Sequence, residues 1–399
     1  MKILLVNKFH YMKGGAERYY FTLANALKKS GYEVIFFSMK DEKNIPCEQE
    51  KYFVKKREYN NKTSFFEKLS ALKNFIYSKE AYNNMNKLLD DEKPDIVILN
   101  NIHRQITTSI VNAIYEHNIK VFWVVHDLIM LCPNYTMLNS KGEICEKCCK
   151  GNYRYCLKYK CIKKSFLKSL LAINEAKYNA KNRTYDKINF FITPSNFYRE
   201  KLIEYGFESP KIIAIKNPLP YDTKYEVNNH DDKYILYFGR LSKEKGVKTL
   251  IDAIKDIDYK LVILGTGPLE TELKEYVDAN KINNVEFKGF KQGEELKNYI
   301  RNSRCVVLPS EWYENGPYSA MEAMALGKPL IVSSLGGLPE LVDNDKNGYI
   351  FKNKEELKEY IKLIINLNEE KYTSLCYNSY EKAILFFQTN KYVKELMKL

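Results

Sequence analysis

Short apolar segments with strand character alternate with helical patterns along the whole chain, and this alternation occurs twice. The first half contains six predicted strands, at 2–6, 33–38, 95–99, 120–125, 188–193 and 211–215. The second half contains five more, at 234–238, 260–264, 285–288, 305–308 and 329–333. Strands separated by helices form parallel sheets with helices on both faces. The pattern therefore predicts an α/β protein with two Rossmann-like, doubly wound domains whose strand carboxyl ends face a cleft.

A polar stretch with two prolines, from Asn217 to Asp232, separates the two alternations and predicts an interdomain linker. We therefore predict an N-terminal domain over residues 1–220 and a C-terminal domain over residues 221–380. The chain has 399 residues, which is enough for two domains with large cores.

Two carboxylates, Glu314 and Glu322, lie eight positions apart on either side of a predicted helix start. Gly316 suits the N-cap and Pro317 the first helical position, so Glu314 would lie in the loop and Glu322 about two turns into the helix. The free backbone N–H groups of residues 316–319 would lie between the carboxylates and favour a diphosphate. Together with hydroxyl acceptors on each side, this arrangement fits a nucleotide sugar. We predict that Asn315, Gly316, Pro317 and Tyr318 line the same donor site.

Two loops of the second domain contain further candidates. In GRLSKEKG (239–246), Arg240 and Lys245 follow a strand and can clamp a diphosphate, which would stabilise the leaving group. Gly265 and Gly267 follow the next strand, but the third glycine of a dinucleotide fingerprint is absent because Glu270 occupies its position. A hydride-transfer cofactor is therefore not predicted.

The first domain has candidates at two strand ends. Gly14 and Gly15 precede the first helix, where paired glycines let backbone approach a bound group closely. His126 ends the strand at 120–125, at a carboxyl edge where doubly wound folds place functional side chains.

The stretch 309–340 resembles the E-x7-E motif of retaining glycosyltransferases of family 4, which have the GT-B fold. The following GGLPE (336–340), the loop GRLSKEKG and the GGAE at 14–17 match the same family. The residues on both sides of Glu314, at 311–313 and 315–317, depart from the family pattern, and this leaves the donor sugar open.

The resemblance implies roles for the candidates. Glu314 would contact hydroxyls of the donor sugar, Glu322 would hold the ribose, and His126 would contact the sugar near its reacting carbon. The loop at Gly265 and Gly267, with the segment 287–291 that contains Phe290, would flank the nucleobase. Gly14 and Gly15 would lie between donor and acceptor. A terminal helix at 381–399 would return to the first domain.

Six of the nine cysteines lie between residues 132 and 161, within a basic insert at 132–165. The pairs Cys145-x2-Cys148 and Cys156-x4-Cys161 have the spacing of zinc ligands, so we predict a closed structural zinc site at these four residues. Unligated or redox-active thiols are the alternative.

The net charge of +13 is concentrated in residues 141–187, which contain thirteen Lys or Arg and four Asp or Glu. Such an excess indicates an anionic partner, such as a lipid surface or a nucleic acid, or else a lysine-rich composition in general. The aromatic and basic region 51–82 could rest on the same membrane leaflet.

The resemblance, together with these residues, implies a retaining glycosyltransferase that uses a UDP- or GDP-linked sugar and no catalytic metal. The acceptor would be a glycan or a polyprenyl-diphosphate-linked glycan in surface polysaccharide synthesis. A cytoplasmic location is expected, with peripheral association with the inner membrane face. One alternative is a GT-B-like nucleotide-sugar epimerase or hydrolase. The other is a basic zinc-containing nucleic-acid-binding protein, which would leave Arg240, Lys245, Glu314 and Glu322 unexplained, so we expect no nucleic-acid partner.

Overall fold

Two parallel six-stranded sheets form the framework of the chain. The computed structural model describes residues 1–56, 74–219 and 234–399. The first sheet has the strand order β2-β1-β3-β4-β5-β6. Its strands are β1 (Lys2–Val6), β2 (Glu33–Phe37), β3 (Ile96–Leu99), β4 (Lys120–Val124), β5 (Phe190–Thr193) and β6 (Ile212–Ala214). Every strand pair is parallel, as the alternation with helices requires.

Helices connect these strands. They are α1 (Gly15–Lys29), α2 (Lys79–Glu92), α3 (Ser109–Glu116), α4 (Arg154–Lys158), α5 (Phe166–Lys181) and α6 (Asn196–Glu204). Ser78, Ser165 and Ser195 cap α2, α5 and α6 by accepting a backbone N–H with the side-chain oxygen. Strand β1 is fully buried from Ile3 to Val6, because helices cover both faces of the sheet.

The second sheet has the strand order β12-β11-β10-β7-β8-β9. Its strands are β7 (Tyr234–Phe238), β8 (Lys260–Leu264), β9 (Val285–Gly289), β10 (Cys305–Leu308), β11 (Leu330–Ser333) and β12 (Gly348–Phe351). The helices after them are α7 (Val247–Ile254), α8 (Glu270–Ala279), α9 (Gly293–Arg301), α10 (Tyr318–Ala325), α11 (Lys354–Ile365) and α12 (Glu369–Phe387). This sheet is also wholly parallel.

The prediction of an α/β protein with two Rossmann-like sheets is confirmed. All eleven predicted strands form, with ends that differ from the prediction by at most two residues. Strand β12 was not predicted. It has four residues at the sheet edge and follows a short 3-10 helix (Leu338–Leu341), so the sequence lacks the long helical pattern that marks the other strands.

The chain divides into two compact units, Met1–Pro220 with Thr389–Leu399, and Tyr221–Gln388. The last helix, α13 (Thr389–Leu396), packs on α1 in the first unit, and its Tyr392 hydroxyl hydrogen-bonds to the hydroxyl of Tyr19. The sequence predicts the return to the first domain at residue 381, whereas the structure divides at 388/389. Most of the predicted linker lies outside the described residues. Within the described ranges, the structure contains no helix with the length and apolar character needed to span a bilayer.

Candidate functional site

In the second unit, the loops that follow β7, β8 and β10 pack against one another through glycine backbones. Gly246 has a φ of +65°, and a Cβ there would lie 1.8 Å from the carbonyl oxygen of Pro309. Gly265 has a φ of +122°, and its Cβ would lie 1.9 Å from the carbonyl oxygen of Gly239. Only glycine tolerates both the left-handed backbone and these contacts. The three loops therefore form one connected edge at the carboxyl ends of the strands.

Gly267 contacts the loop after β7 in the same way, since a Cβ there would lie 2.3 Å from the carbonyl oxygen of Leu241. The Leu241 N–H donates to the Thr266 carbonyl, and the Leu269 N–H donates to the Leu241 carbonyl, both at 3.0 Å. These contacts explain Gly265 and Gly267 by packing between loops. Their assignment to nucleobase binding stays a prediction.

Glu314 lies at the centre of this edge. Its Oε1 accepts from Lys245 Nζ at 2.5 Å and from Ser310 Oγ at 2.7 Å. The Glu314 side chain is 6% exposed, and that of Lys245 is 23% exposed. The structure thus brings together Lys245 of one predicted loop and Glu314 of the other, which lie 69 positions apart in the chain.

The carboxyl group of Glu314 is held in its charged form. Burial raises its pKa, but the nearby charge of Lys245 and the hydrogen bonds from Lys245 and Ser310 lower the pKa by more, so the net shift is downward. The Lys245 ammonium also lies 5.2 Å from the centre of the Trp312 ring. A buried anion beside a partly exposed cation can offer a bound molecule both an acceptor and a positive charge.

The backbone of Glu314 is held by the GGLPE segment. The Gly337 N–H donates to the Glu314 carbonyl at 2.6 Å. Gly336 has a φ of +68°, and a Cβ there would lie 2.2 Å from the same carbonyl oxygen. The two glycines therefore let the loop after β11 lie directly on the loop that contains Glu314.

Helix α10 begins later than the sequence predicts. Pro317 is the N-cap, with extended φ and ψ, and Tyr318 is the first helical residue. The prediction of Gly316 as the N-cap and Pro317 as the first helical residue is therefore wrong. Glu322 lies in the fifth position of α10, little more than one turn from its start, and is 3% exposed. Asn315 and Gly316 belong to the loop between Glu314 and this helix.

Two predicted donor residues are exposed. Phe290, after β9, is 66% exposed. Arg240 is exposed as well, and its guanidinium has no hydrogen-bond or ion-pair partner in the part of the chain that the structure describes. The Gly289 carbonyl accepts from the Gly265 N–H at 2.7 Å, which places the start of the Phe290 loop beside the loop after β8. Both side chains are accessible to a ligand.

The chain contains two D-x-D triplets, at 256–258 and 343–345, a pattern found in metal-dependent transferases. Both triplets precede a strand, β8 and β12 respectively. They therefore lie at the amino ends of these strands, whereas Glu314 and Lys245 lie at the carboxyl ends. The expectation that no catalytic metal is used stays a prediction.

In the first unit, amide and imidazole groups occupy the carboxyl ends of β1, β3 and β4. Asn7 Nδ2 donates to Glu17 Oε1 at 3.2 Å, and Asn7 Oδ1 accepts from the Asn101 N–H at 3.2 Å. Asn100 Oδ1 lies 2.9 Å from His126 Nε2. Each of these side chains follows a strand or opens α1, so the parallel topology brings them to one edge.

His126 is neutral over the ordinary pH range. Burial lowers its pKa to about 3, with a smaller contribution from the charge of Lys8. Its ring makes an edge contact with the ring of Tyr19, with centroids 5.0 Å apart. A neutral imidazole at this edge can exchange hydrogen bonds with hydroxyl groups but adds no charge.

The predicted glycine pair lies at the start of α1. Gly14 is the N-cap and Gly15 the first helical residue. A Cβ on Gly14 would lie 3.7 Å from Glu17 Oε2, which is an ordinary contact distance. Steric packing alone therefore does not require glycine at position 14, and the predicted role of close approach to a ligand remains a prediction.

The cysteine insert does not gather the four predicted zinc ligands. Cys148 and Cys156 lie in one buried cluster with Cys161 packed against it, and the thiols of Cys132 and Cys148 shift each other's pKa in opposite directions. Cys145 takes no part in these contacts. Over the described ranges, His, Cys, Asp and Glu side chains form no group of three or more that could hold a metal ion. The zinc site at Cys145, Cys148, Cys156 and Cys161 therefore stays a prediction, and metal analysis would test it.

The sequence analysis missed several residues at the carboxyl edges of the two sheets. In the second unit these are Ser310 and Trp312 beside Lys245 and Glu314, and in the first unit Asn7, Glu17, Asn100 and Tyr19. Asn7 and Asn100 could have been predicted from the sequence, because each directly follows a buried strand. Ser310 and Trp312 had none, since only the folded loop shows which neighbours of Glu314 point toward it.

Both parts of the chain match models of known families. Residues 13–222 match the model "Glycosyltransferase Family 4", and residues 222–382 match "Glycosyl transferases group 1". An uncharacterized glycosyltransferase of Haemophilus influenzae is 28% identical over 374 residues, which are 91% of this chain and 89% of that protein. The amylovoran biosynthesis glycosyltransferase AmsK of Erwinia amylovora is 31% identical over 170 residues, 39% of this chain and 42% of AmsK. Several curated relatives are likewise matched over less than half of their own length.

Among solved structures, Anabaena HepE in complex with UDP has a TM-score of 0.69 with 18% identity, and the alignment covers all of both chains. At this identity the likeness supports the fold alone, and that fold is GT-B. The first family model spans more than half of the residues, and the second covers the unit that contains Lys245, Glu314 and Glu322. This chain belongs to glycosyltransferase family 4.

Proposed function

We propose that the chain is a retaining glycosyltransferase that moves a sugar from a nucleoside diphosphate, UDP or GDP, to a glycan acceptor. The observation that carries this proposal is the buried, charged carboxylate of Glu314 beside Lys245 at the strand ends of the second unit. A hydroxyl-bearing sugar needs such an acceptor, and a diphosphate needs such a cation. Anabaena HepE, which has a similar fold, was solved in complex with UDP.

In this mechanism, the diphosphate binds to Lys245 and Arg240 and to the backbone N–H groups at the start of α10. Its phosphate competes with Glu314 for Lys245, so that Glu314 can accept hydrogen bonds from the sugar hydroxyls. Glu322 holds the ribose, and Phe290 with the loop at Gly265 flanks the base. These roles follow the family resemblance.

The chemical step is a substitution on one face of the sugar. The bond between the anomeric carbon and the phosphate oxygen breaks, and the acceptor oxygen bonds to the same carbon from the same side. The acceptor proton goes to the departing phosphate oxygen. Positive charge from Arg240 and Lys245 stabilises the nucleoside diphosphate as it leaves. His126 and its neighbours in the first unit supply hydrogen bonds without charge.

We further propose that the acceptor is a growing glycan, free or linked to polyprenyl diphosphate, in surface polysaccharide synthesis. The relation to AmsK, a glycosyltransferase of amylovoran biosynthesis, supports this class of acceptor. A cytoplasmic location with peripheral membrane association follows from a lipid-linked acceptor. A nucleotide-sugar epimerase or hydrolase would need no acceptor.

A thermal-shift panel of nucleoside diphosphates and nucleotide sugars tests the donor. A donor at 100 times its dissociation constant should stabilise the chain by about 2.7 kcal/mol. Incubation of the best donor with and without candidate acceptors then separates transfer from hydrolysis or epimerisation. The anomeric configuration of the product, read by NMR, tests retention. Donor turnover that does not depend on an acceptor would contradict the proposal.

The role of Glu314 can be tested separately. Glu314→Ala should change the preference among donor sugars as well as lower the rate, because its carboxylate is assigned to the sugar hydroxyls. An unchanged order of sugar preference in this variant would count against the assignment.

A further inference from the structure

The end of the cysteine insert and the start of α5 combine exposed apolar side chains with a charge of one sign. From Lys147 to Asn174 the chain contains eight Lys or Arg and no Asp or Glu. Helix α5 begins within this run, and three of its large apolar side chains are exposed: Phe166 by 49%, Leu167 by 75% and Leu170 by 37%. Single exposed apolar residues are ordinary, but three within five positions of one helix form a continuous face.

The opposite side of α5 is anchored in the first unit. Ala172 and Ile173 are buried, and the buried carboxylate of Glu175 lies 3.6 Å from the Arg104 guanidinium. Asn179 Oδ1 accepts from Thr108 Oγ1 at 2.6 Å. These buried contacts fix the orientation of α5 about its own axis. The side chains at 166, 167 and 170 therefore point to solvent.

The turn before α5 presents lysines beside this apolar face. Lys160, Lys163 and Lys164 all have left-handed φ angles, of 47°, 50° and 55°. The turn is tied to the helix by Ser169 Oγ, which accepts from the Ile162 N–H at 3.1 Å. Glycine or asparagine would adopt this backbone at less cost. The chain instead has three positive charges there, all exposed and without ion-pair partners among the described residues.

We propose that the insert face, formed by Lys160, Lys163, Lys164, Phe166, Leu167 and Leu170, docks on an anionic lipid bilayer. The three apolar side chains would enter the boundary between headgroups and acyl chains, and the lysines would contact lipid phosphates. A nucleic acid would use the charge but gain little from exposed leucines. A second copy of the chain would place like charges against each other. The bilayer alone matches both parts of the face.

The inference deepens the peripheral membrane association proposed above by naming the surface that makes it, and in that respect it rests on the proposed function. Its test needs no sugar donor or acceptor. The full chain is sedimented with phosphatidylcholine vesicles with and without phosphatidylglycerol. We expect binding to the vesicles that contain phosphatidylglycerol, weakened by added salt.

A charge variant provides the first test. Lys163→Asn with Lys164→Asn removes two charges, and asparagine tolerates the left-handed backbone, so the fold should persist. We expect vesicle binding to fall about 30-fold. Lys93→Asn with Lys281→Asn is the matched control, because both lysines are exposed and have left-handed φ angles of 46° and 52° elsewhere in the chain. This control should bind vesicles like the wild type.

An apolar variant provides the second test. Phe166→Ser with Leu167→Ser should lower vesicle binding by about tenfold or more while leaving its salt dependence unchanged. The matched control is Leu363→Ser with Leu385→Ser, which changes leucines that are 42% and 61% exposed in the second unit.

Wild-type chain that does not bind the anionic vesicles would overturn the proposal. So would equal binding by the lysine variant and its control, or binding of single-stranded RNA in place of vesicles. Donor-induced thermal shifts should be the same in the lysine variant and the wild type. A failure of the proposed transfer activity therefore appears in the donor assay and leaves the vesicle result intact.

Discussion

The carboxyl edges of the two sheets belong to similar folds but carry different chemistry. In the second unit, the central groups are the charged pair Lys245 and Glu314, held by loops that pack through glycine backbones. In the first unit, the central groups are the amide of Asn100 and the neutral imidazole of His126. A charged edge suits a diphosphate, whereas an edge of amides and imidazole suits hydroxyl groups. Similar strand ends can thus carry groups suited to two different kinds of ligand.

The glycine packing of the second unit gives the largest expected effect. Gly246→Ala should lower the free energy of unfolding of this unit by about 4 kcal/mol, because its φ is left-handed and the new Cβ would lie 1.8 Å from the Pro309 carbonyl oxygen. Urea unfolding measures this change.

Gly293→Ala is the control, since its φ of +60° is also left-handed but nothing lies within 4 Å of the added Cβ. It should cost only about 1 to 2 kcal/mol. Equal effects of the two substitutions would show that the loops do not depend on close backbone contact.

The charged pair is tested next. Lys245→Ala should lower kcat/KM for transfer roughly 100-fold, because it removes a cation from the leaving diphosphate and leaves Glu314 buried without its ion-pair partner. Glu322→Ala should cause a similar loss by weakening donor binding. Lys243→Ala, an exposed lysine of the same loop, serves as the control and should retain transfer. Near-normal activity of Lys245→Ala at subsaturating donor would remove Lys245 from the proposed site.

The neutral imidazole of His126 predicts a pH effect of about 2 kcal/mol. The pKa of His126 is lowered from 6.5 to about 3 in the folded chain. Below pH 6.5 the unfolded chain therefore binds a proton that the folded chain does not, and stability falls as the pH is lowered. His126→Asn should remove this contribution, which grows between pH 7 and pH 5.

Unfolding free energies of wild type and His126→Asn, measured across this pH range, test the prediction. A constant difference between the two proteins would mean that His126 is charged or exposed in the folded state. Turnover should also drop in this variant while nucleoside diphosphate affinity stays near normal, because the nucleotide is assigned to the other unit.

The smallest expected effect comes from Ser310. Ser310→Ala removes one of the hydrogen bonds to Glu314 Oε1 but leaves the Lys245 ion pair, so kcat/KM should fall by about tenfold. Ser303→Ala, which removes a buried hydrogen bond to the Ile300 carbonyl in the same unit, is the control and should affect stability without affecting sugar transfer. A loss for Ser310→Ala as large as that for Lys245→Ala would mean that the hydroxyl, and not the charge, positions Glu314.

Local pattern was sufficient for most of the fold. Alternating apolar strands and helices determine a parallel α/β architecture, because a parallel strand pair needs a crossover connection. Strand β12 was not predicted, because it is short and no long helix precedes it. The helix at 318–325 was predicted at the right place, but its N-cap was set one residue early, at Gly316 instead of Pro317, since glycine and proline are compatible with several positions around a helix N-terminus.

By itself, the sequence determined which residue types are present and roughly where each strand ends, and so which side chains reach a carboxyl edge. It also determined the positive run of the insert, since charge is a property of composition. Only the tertiary structure decided that Lys245 meets Glu314 across 69 positions and that Leu167 points outward from α5. It also placed Gly265 and Gly267 against a neighbouring loop. Contacts between distant segments depend on how whole elements pack, and no local pattern encodes that packing.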